Sequence, residues 1–252
     1  MSEAHAVNAE LPNLVTLVAE RFEGSVFAQK LVLWENVIFS FLIISVLSLL
    51  AILVSRKRQI VPGRGQNVAE VLAGALDDFV CGILGPKGRR YTPFVGTLFI
   101  YILCMNLFGI IPFMKSPTSS WSTTLALALC VFCYVQYSAF KQNGFLGYID
   151  HLMEKPRGFL AFSVVIPLLM FFLHVMGELV KPLSLSLRLR SNIWGDDMLL
   201  AIMAKFGLPG LPMLLFNTIL AIIAGVVQAV VFCLLTTIYF ALILPHEEEV
   251  HG

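Results

Sequence analysis

Within residues 159–203 the chain carries His174, Glu178, Lys181, Arg188, Arg190, Asn192, Asp196 and Asp197 in a stretch that is otherwise largely apolar. A charge at the centre of a bilayer costs ~2.5–3.5 kcal/mol, so ionisable groups in such a stretch mark ion or proton chemistry. Arg188 is the pivotal residue. Its guanidinium does not give up its proton, and no acid lies within four residues on its own helix face, so its counter-charge is expected from another chain. At ~100° per residue, Lys181 falls ~20° and Asn192 ~40° from Arg188, which puts the three on one face. Glu178, three residues before Lys181, is spaced to pair with it, either as a working pair or as an ion pair that steadies the helix. Arg190 points ~200° away from Arg188 and reads as an interfacial or cytosol-facing charge. Asp197 lies ~14 Å beyond Arg188 along the helix, either as a proton relay or as a solvated residue near the helix end. Asp196 is ~100° round from Asp197 and is expected to matter less.

The elements that must position these groups follow from composition. The chain has 252 residues, of which 58% are hydrophobic and 13% charged, with a mean hydropathy of +0.85. Soluble domains carry about 25% charged residues, so this chain cannot cover a globular surface with polar groups. It reads as an all-α integral membrane protein. Residues 36–55 are free of charge and long enough for ~30 Å of helix. Arg56, Lys57 and Arg58 follow, which places that end in the cytoplasm and the N-terminal segment, residues 1–35, outside. Residues 67–85 repeat Val68, Val71, Leu72, Ala75, Leu76, Phe79, Ile83 and Leu84 at three- and four-residue spacing. That is an amphipathic helix, lying on the inner membrane surface or packed against a partner. Residues 91–114 and 116–140 read as the second and third spans, and 142–158 as a short cytoplasmic connection. Residues 159–206 form a broadly helical pattern with Pro167 and Pro182 as possible kinks, about 70 Å if continuous. Residues 206–245 are a second long run, without a charge. Neither can stand upright in ~30 Å of hydrocarbon, so the pair must be broken or form a steeply tilted hairpin that turns near 207–212. The expected organisation is therefore five membrane-crossing helices in two parts, residues 36–158 and the hairpin 159–245, with a cytoplasmic tail at 246–252.

Several function classes are excluded. Barrel strands alternate apolar and polar residues over ~10 positions, unlike these runs. No internal repeat supports the plan of an ion-coupled secondary transporter, which is nevertheless the alternative reading of the buried charges. His151 and His174 are isolated and no HExxH pattern occurs, which argues against a membrane-embedded protease. A net charge of +1 without a basic aromatic cluster gives nucleic acid nothing to bind. No metal or cofactor motif is present. Cys81, Cys104, Cys130, Cys133 and Cys233 are expected to be buried thiols that pack as small hydrophobes. Residues 1–22 lack the basic and apolar regions of a signal peptide.

The run Glu178-Leu-Val-Lys181-Pro182-Leu-Ser184-Leu-Ser186-Leu-Arg188-Leu-Arg190-Ser-Asn192 resembles the signature of subunit a of the membrane sector of rotary, F-type ATP synthases. Pro93-Phe94-Val-Gly96-Thr97-Leu98-Phe99, Asn106-Leu-Phe-Gly-Ile-Ile-Pro112, Pro117-Thr118-Ser119 and the late Gln228–Tyr239 stretch fit as well, in order, across residues 35–245. The resemblance implies a non-catalytic stator subunit of a bacterial inner membrane. Its partners would be the c-ring subunits, the peripheral-stalk b subunits and the rest of the complex. Arg188 matches the essential arginine that faces the ring carboxylate, with Asn192 and Gln228 flanking it from the two arms of the hairpin. The resemblance implies that Glu178, Lys181 and His174 lie toward a cytoplasmic exit half-channel, and Asp197 and Asn106 toward an outer entry half-channel. Two positions depart from the pattern. Arg190-Ser191 stands where many relatives have Phe-Gly, and Ala221 stands where a His or Glu often pairs with the acid near Asp197.

Overall fold

The computed structural model describes residues 34–56, 63–111, 114, 116–153, 162–204, 206–207 and 210–243. Among them six α-helices follow one another: α1 (Glu35–Arg56), α2 (Arg64–Leu84), α3 (Thr92–Phe108), α4 (Trp121–Met153), α5 (Phe162–Ala204) and α6 (Leu211–Ile243). Short 3₁₀ turns at Pro86–Arg90 and Pro117–Ser119 lead into α3 and α4. Three helices are long and apolar enough to cross a membrane: α1, α4 and α6. The expected termini 1–33, the basic pair Lys57 and Arg58, Glu154, Arg157 and the tail 246–252 lie outside the described residues.

α1 carries charge only at its ends, Glu35 in the first turn and Arg56 in the last, which suits the helix dipole. It touches the rest of the molecule along one seam, where Phe39 and Ile43 are buried and Phe39 meets Phe108 edge-on. The opposite face is apolar and open, with Phe41 69% exposed. Helix α2 bears out the amphipathic reading in part: Val80 is fully buried and Leu76 reaches Gly96 of α3, while Val68 and Val71 point outward. Its polar edge is tied to α3. Asp77 accepts hydrogen bonds from the Thr92 hydroxyl (2.8 Å) and from Arg89 Nε (3.0 Å). The Thr92 bond, helped by Arg89, holds the Asp77 carboxyl below the usual carboxylate range although desolvation opposes it.

α3 is the central post. Val95, Leu98, Ile102 and Met105 are buried along it, and the first three share one core cluster with Ala229, Phe232 and Cys233 of α6 and with Ala128, Val131 and Val135 of α4. At one end Tyr91, Phe94, Tyr134 and Phe240 pack ring on ring, with stacked pairs at 4.2 and 4.4 Å. At the other end α3 and α6 approach at Gly225, where a Cβ would come within 3.2 Å of the Asn106 Cβ. A side chain at Gly225 would make Asn106 give way by a few tenths of an ångström.

Several boundaries differ from expectation. The span expected over 91–114 is a helix of 17 residues, about 25 Å long, followed by turns at 109–110. Ile111 precedes Pro112, and a residue before proline is pushed out of the α region. Ser116 does not start the third span. A buried turn, Pro117–Ser119, precedes it, and the helix begins at Trp121. The connection expected at 142–158 is helical as far as Met153, beyond a kink at Gly144 (φ 68°, ψ 167°) that glycine adopts without strain. Nor are the cysteines uniformly buried. Cys233 is, with its thiol 3.6 Å from the Val95 carbonyl, but Cys81 and Cys104 are half-buried and Cys130 and Cys133 face outward.

α5 runs without a break for 43 residues, about 65 Å, through both Pro167 and Pro182. The chain then reverses through Gly207 (φ 63°), whose carbonyl accepts from Gly210 N–H (3.0 Å), and α6 starts at Leu211. The turn falls where the sequence placed it. A Cβ on Gly210 would come within 2.7 Å of the Met203 carbonyl oxygen, so the turn closes only around glycine. Both α5 and α6 are continuous between their bounds.

Candidate functional site

α5 and α6 run antiparallel, and two layers of contact fix their register. In one, Lys181 of α5 lies over the Tyr239 ring of α6, with Nζ 5.3 Å from the centroid. In the other, Asp196, Asp197 and Leu200 share a cavity wall with Asn217, Thr218 and Ala221. Arg188 and Gln228 fall between these layers, one on each helix.

The first layer is a polar cluster inside an apolar wall. Glu178 and Lys181 form an ion pair, as the three-residue spacing predicts, and both are half-buried. Gln136 of α4 donates to the other carboxylate oxygen of Glu178 at 2.8 Å. The recess around the pair is lined by Ala128, Val131, Phe132 and Val135 of α4 and by Pro182 and Leu185 of α5. His174 is not drawn into this cluster. Its Nδ1 lies 3.1 Å from the Met170 carbonyl, one turn back on its own helix.

Arg188 stands apart. It is exposed, on a face of α5 that also presents Leu183, Ser184, Leu187, Ser191 and Trp194. Among the described residues no carboxylate pairs with it, and its field reaches the Tyr239 phenol. Lys181 and Asn192, expected on the same face, turn partly inward instead. Asn192 Nδ2 and Gln228 Nε2 are both buried without a hydrogen-bond partner. The Arg190 guanidinium, turned away from Arg188 as its angle on the helix predicts, lies over the Trp121 ring of α4, 5.2 Å from its centroid.

The second layer is a cavity of about 40 Å³ between α3, α5 and α6. Asn106, Asp196 and Asp197 all line it, so the structure brings together the two residues assigned to one path and adds Asp196, which the angular argument had set aside. The cavity spans enough of the α5 surface to take in neighbouring positions. Asn106 is buried, its Nδ2 donates to the Gly225 carbonyl (3.2 Å), and its Oδ1 lies 3.3 Å from the Thr118 hydroxyl. Ser116 donates to the Met105 carbonyl (2.8 Å) and accepts from the Thr118 hydroxyl (2.6 Å). Among the described residues no group of three or more metal-ligating side chains occurs.

The family model of the ATP synthase A chain matches residues 37–241, which is most of the sequence. The chain belongs to this family. The ATP synthase A chain reading is supported by relatives of similar length. The ATP synthase subunit a of Protochlamydia amoebophila is 40% identical over 249 residues, 95% of this chain and 91% of its own. Those of Moorella thermoacetica and Aliarcobacter butzleri are 39% and 36% identical, over 83% and 82% of this chain and 90% and 89% of theirs.

Residues that the sequence argument passed over lie around these groups. Gln136 reaches Glu178 from α4, Tyr239 caps Lys181, and Asn217 and Thr218 wall the cavity. Asn217 had one visible signal, an amide in a helix otherwise almost wholly apolar. Gln136 had a weaker one, as an amide that follows the apolar run from Leu125 to Val135 in α4.

Proposed function

We propose that this chain is the stator ion channel of the ATP synthase membrane sector, carrying protons to and from the carboxylates of a rotating c-ring. The observation that carries the reading is Arg188: a permanent charge on an open apolar face, with no acid beside it among the described residues. Lipid would not accept that face, since an unpaired charge at mid-depth costs ~2.5–3.5 kcal/mol. A ring of hairpins, each with one buried carboxylate, supplies both the apolar surface and the counter-charge.

The mechanism follows from desolvation. A carboxylate in apolar surroundings holds its proton, because burial disfavours the charged form. A neutral ring site can therefore face lipid, and an ionised one cannot. Arg188 makes ionisation favourable at one place only. A ring site that arrives there releases its proton toward the Glu178, Lys181 and His174 side, passes the guanidinium ionised, and is reloaded from the cavity of Asn106, Asp196 and Asp197. Asn192 and Gln228, whose amides have unmet donors, flank the passing carboxylate. Because guanidinium stays charged, it also repels a proton crossing straight between the two paths. Each proton moving through 100 mV yields ~2.3 kcal/mol, so rotation must sum several to make one ATP.

In this reading five helices cross the bilayer: α1, α3, α4 and the tilted hairpin α5–α6, with α2 on the inner surface. Residues 1–35 lie outside and the 246–252 tail in the cytoplasm of a bacterial cell. Residues 36–158 hold the hairpin 159–245 in place and, with α2, offer surface to the peripheral-stalk b subunits. The chain has no catalytic role of its own, and ATP is made elsewhere in the complex. A photo-crosslinking side chain placed at Leu187 in the assembled complex is expected to join a ring subunit, and one placed at Phe41 of α1 is not. Crosslinks from Leu187 to lipid or to a stalk subunit, with none to the ring, would overturn the assignment.

A further inference from the structure

The cavity of about 40 Å³ has in its wall a buried polar atom without a hydrogen-bond partner among the described residues. Asn106 and Ser116 bond to Gly225 and Met105, and the Thr218 hydroxyl donates to the Leu214 carbonyl at 2.9 Å. Asn217 differs. It is only 3% exposed, and its Nδ2 has no acceptor. An amide buried in that state costs ~1–3 kcal/mol unless something fills the gap. A water molecule needs ~10–15 Å³ of such space, so the cavity has room for about three. Ala221, one turn further along α6, adds only a methyl group to the wall. The titratable groups facing this space come from α5 alone, Asp196 and Asp197, and the lining from α3 and α6 contributes none.

We propose that Asn217 is a positioning residue of the proton entry path: its amide donates to a water that in turn donates to the Asp196 or Asp197 carboxylate. The proposal rests on the reading of this cavity as the entry half-channel. The amide fixes the water where protein side chains leave the space open, and the water bridges α6 to the acids of α5. A proton then reaches the carboxylates along a held hydrogen bond rather than through a mobile one. Removing the amide leaves the acids in place but unanchors the water between them and α6.

The test is proton conduction through the membrane sector of the assembled complex after the catalytic head is stripped off, with the outer pH varied. Asn217→Leu keeps the branched shape and number of heavy atoms and removes the donor, whereas Asn217→Ser keeps a polar group and admits an extra water. Loss of one such hydrogen bond is expected to lower conduction about five-fold in Asn217→Leu and to change its dependence on outer pH. Asn217→Ser should stay within about two-fold of the unaltered complex, since a bridging water replaces a direct contact at little cost. If Asn217→Leu is absent from the purified complex, the smaller Asn217→Val takes its place with the same expectation. Conduction in the apolar variant equal to the unaltered complex would overturn the proposal, and so would an equal fall in Asn217→Ser, which would mean a packing role. An Asp197→Asn arm separates the two levels. If it conducts less while the apolar Asn217 variant conducts normally, only this inference fails. If Asp197→Asn and Asp196→Asn both conduct normally, the cavity is not the entry path.

Discussion

Replacing Arg190 by Phe tests whether the working charge has been placed on the right arginine. The guanidinium of Arg190 lies 5.2 Å from the Trp121 ring centre. Such a contact contributes ~0.5–1 kcal/mol at an exposed site and ~2 kcal/mol or more once desolvated. A phenyl ring at the same position replaces it with an aromatic pair that contributes ~0.5–1.5 kcal/mol beyond its buried area. The two terms cancel to within ~1 kcal/mol, a small share of the ~5–15 kcal/mol that holds a folded domain together. The substitution also removes the desolvation cost of a half-buried cation. Arg190→Phe is therefore expected to assemble and to keep more than about half of proton-driven ATP synthesis in membrane vesicles. Arg190→Ala, which loses the stack and leaves a gap beside Trp121, should be the less stable variant by ~1–2 kcal/mol, read as earlier thermal inactivation of the complex. A loss of synthesis in Arg190→Phe as complete as that from removing Arg188 would refute the reasoning, because it would show that the charge at 190 does work the stack does not explain.

Asp197→Asn should slow passive proton conduction and alter its dependence on outer pH, while Asp197→Glu retains it; Asp196→Asn should act in the same direction, since both acids line the cavity. Gly225→Val forces a side chain against Asn106, where even a Cβ would sit at 3.2 Å, and overpacking of ~1–3 kcal/mol should appear as lower thermal stability of the complex. Asp77→Asn removes the charge that Arg89 and Thr92 hold, and is expected to loosen the α2–α3 junction, read as faster proteolysis after Arg89 or Arg90 at pH 7. The Asp77 carboxyl is held below its ordinary range, so its contribution is present at neutral pH and disappears only as the pH falls through that lowered value. The unaltered chain should therefore show the same proteolysis only in strong acid.

Much of the scaffold was legible because single-helix rules governed it. α1 has charges only at its ends, and α2 repeats its apolar residues with helical spacing, so both were readable from pattern. The Glu178–Lys181 pair was readable for the same reason, since it depends on three residues of one helix. Boundaries set by backbone geometry were harder to place. The left-handed conformation at Gly144 lets helix resume where a connection was expected, and the short α3 ends before a proline whose effect hydropathy does not record. Contacts between helices were hardest. Arg190 was placed by its angle on α5, but its position is decided by Trp121 on α4. Asp196 was set aside by the same angular rule, yet α3 and α6 close a cavity around both acids. Gln136 and Asn217 reach the site from other helices, and sequence spacing carries no signal of how those helices pack.

The central claim, that Arg188 is the charge that couples ion flow to rotation, is tested most directly by ATP synthesis in vesicles carrying Arg188→Ala. Complex assembly should be measured in the same membranes. The account predicts complete loss of proton-driven synthesis with subunit content close to normal, because the side chain lies on an open face among the described residues. Near-normal synthesis by that variant would contradict it.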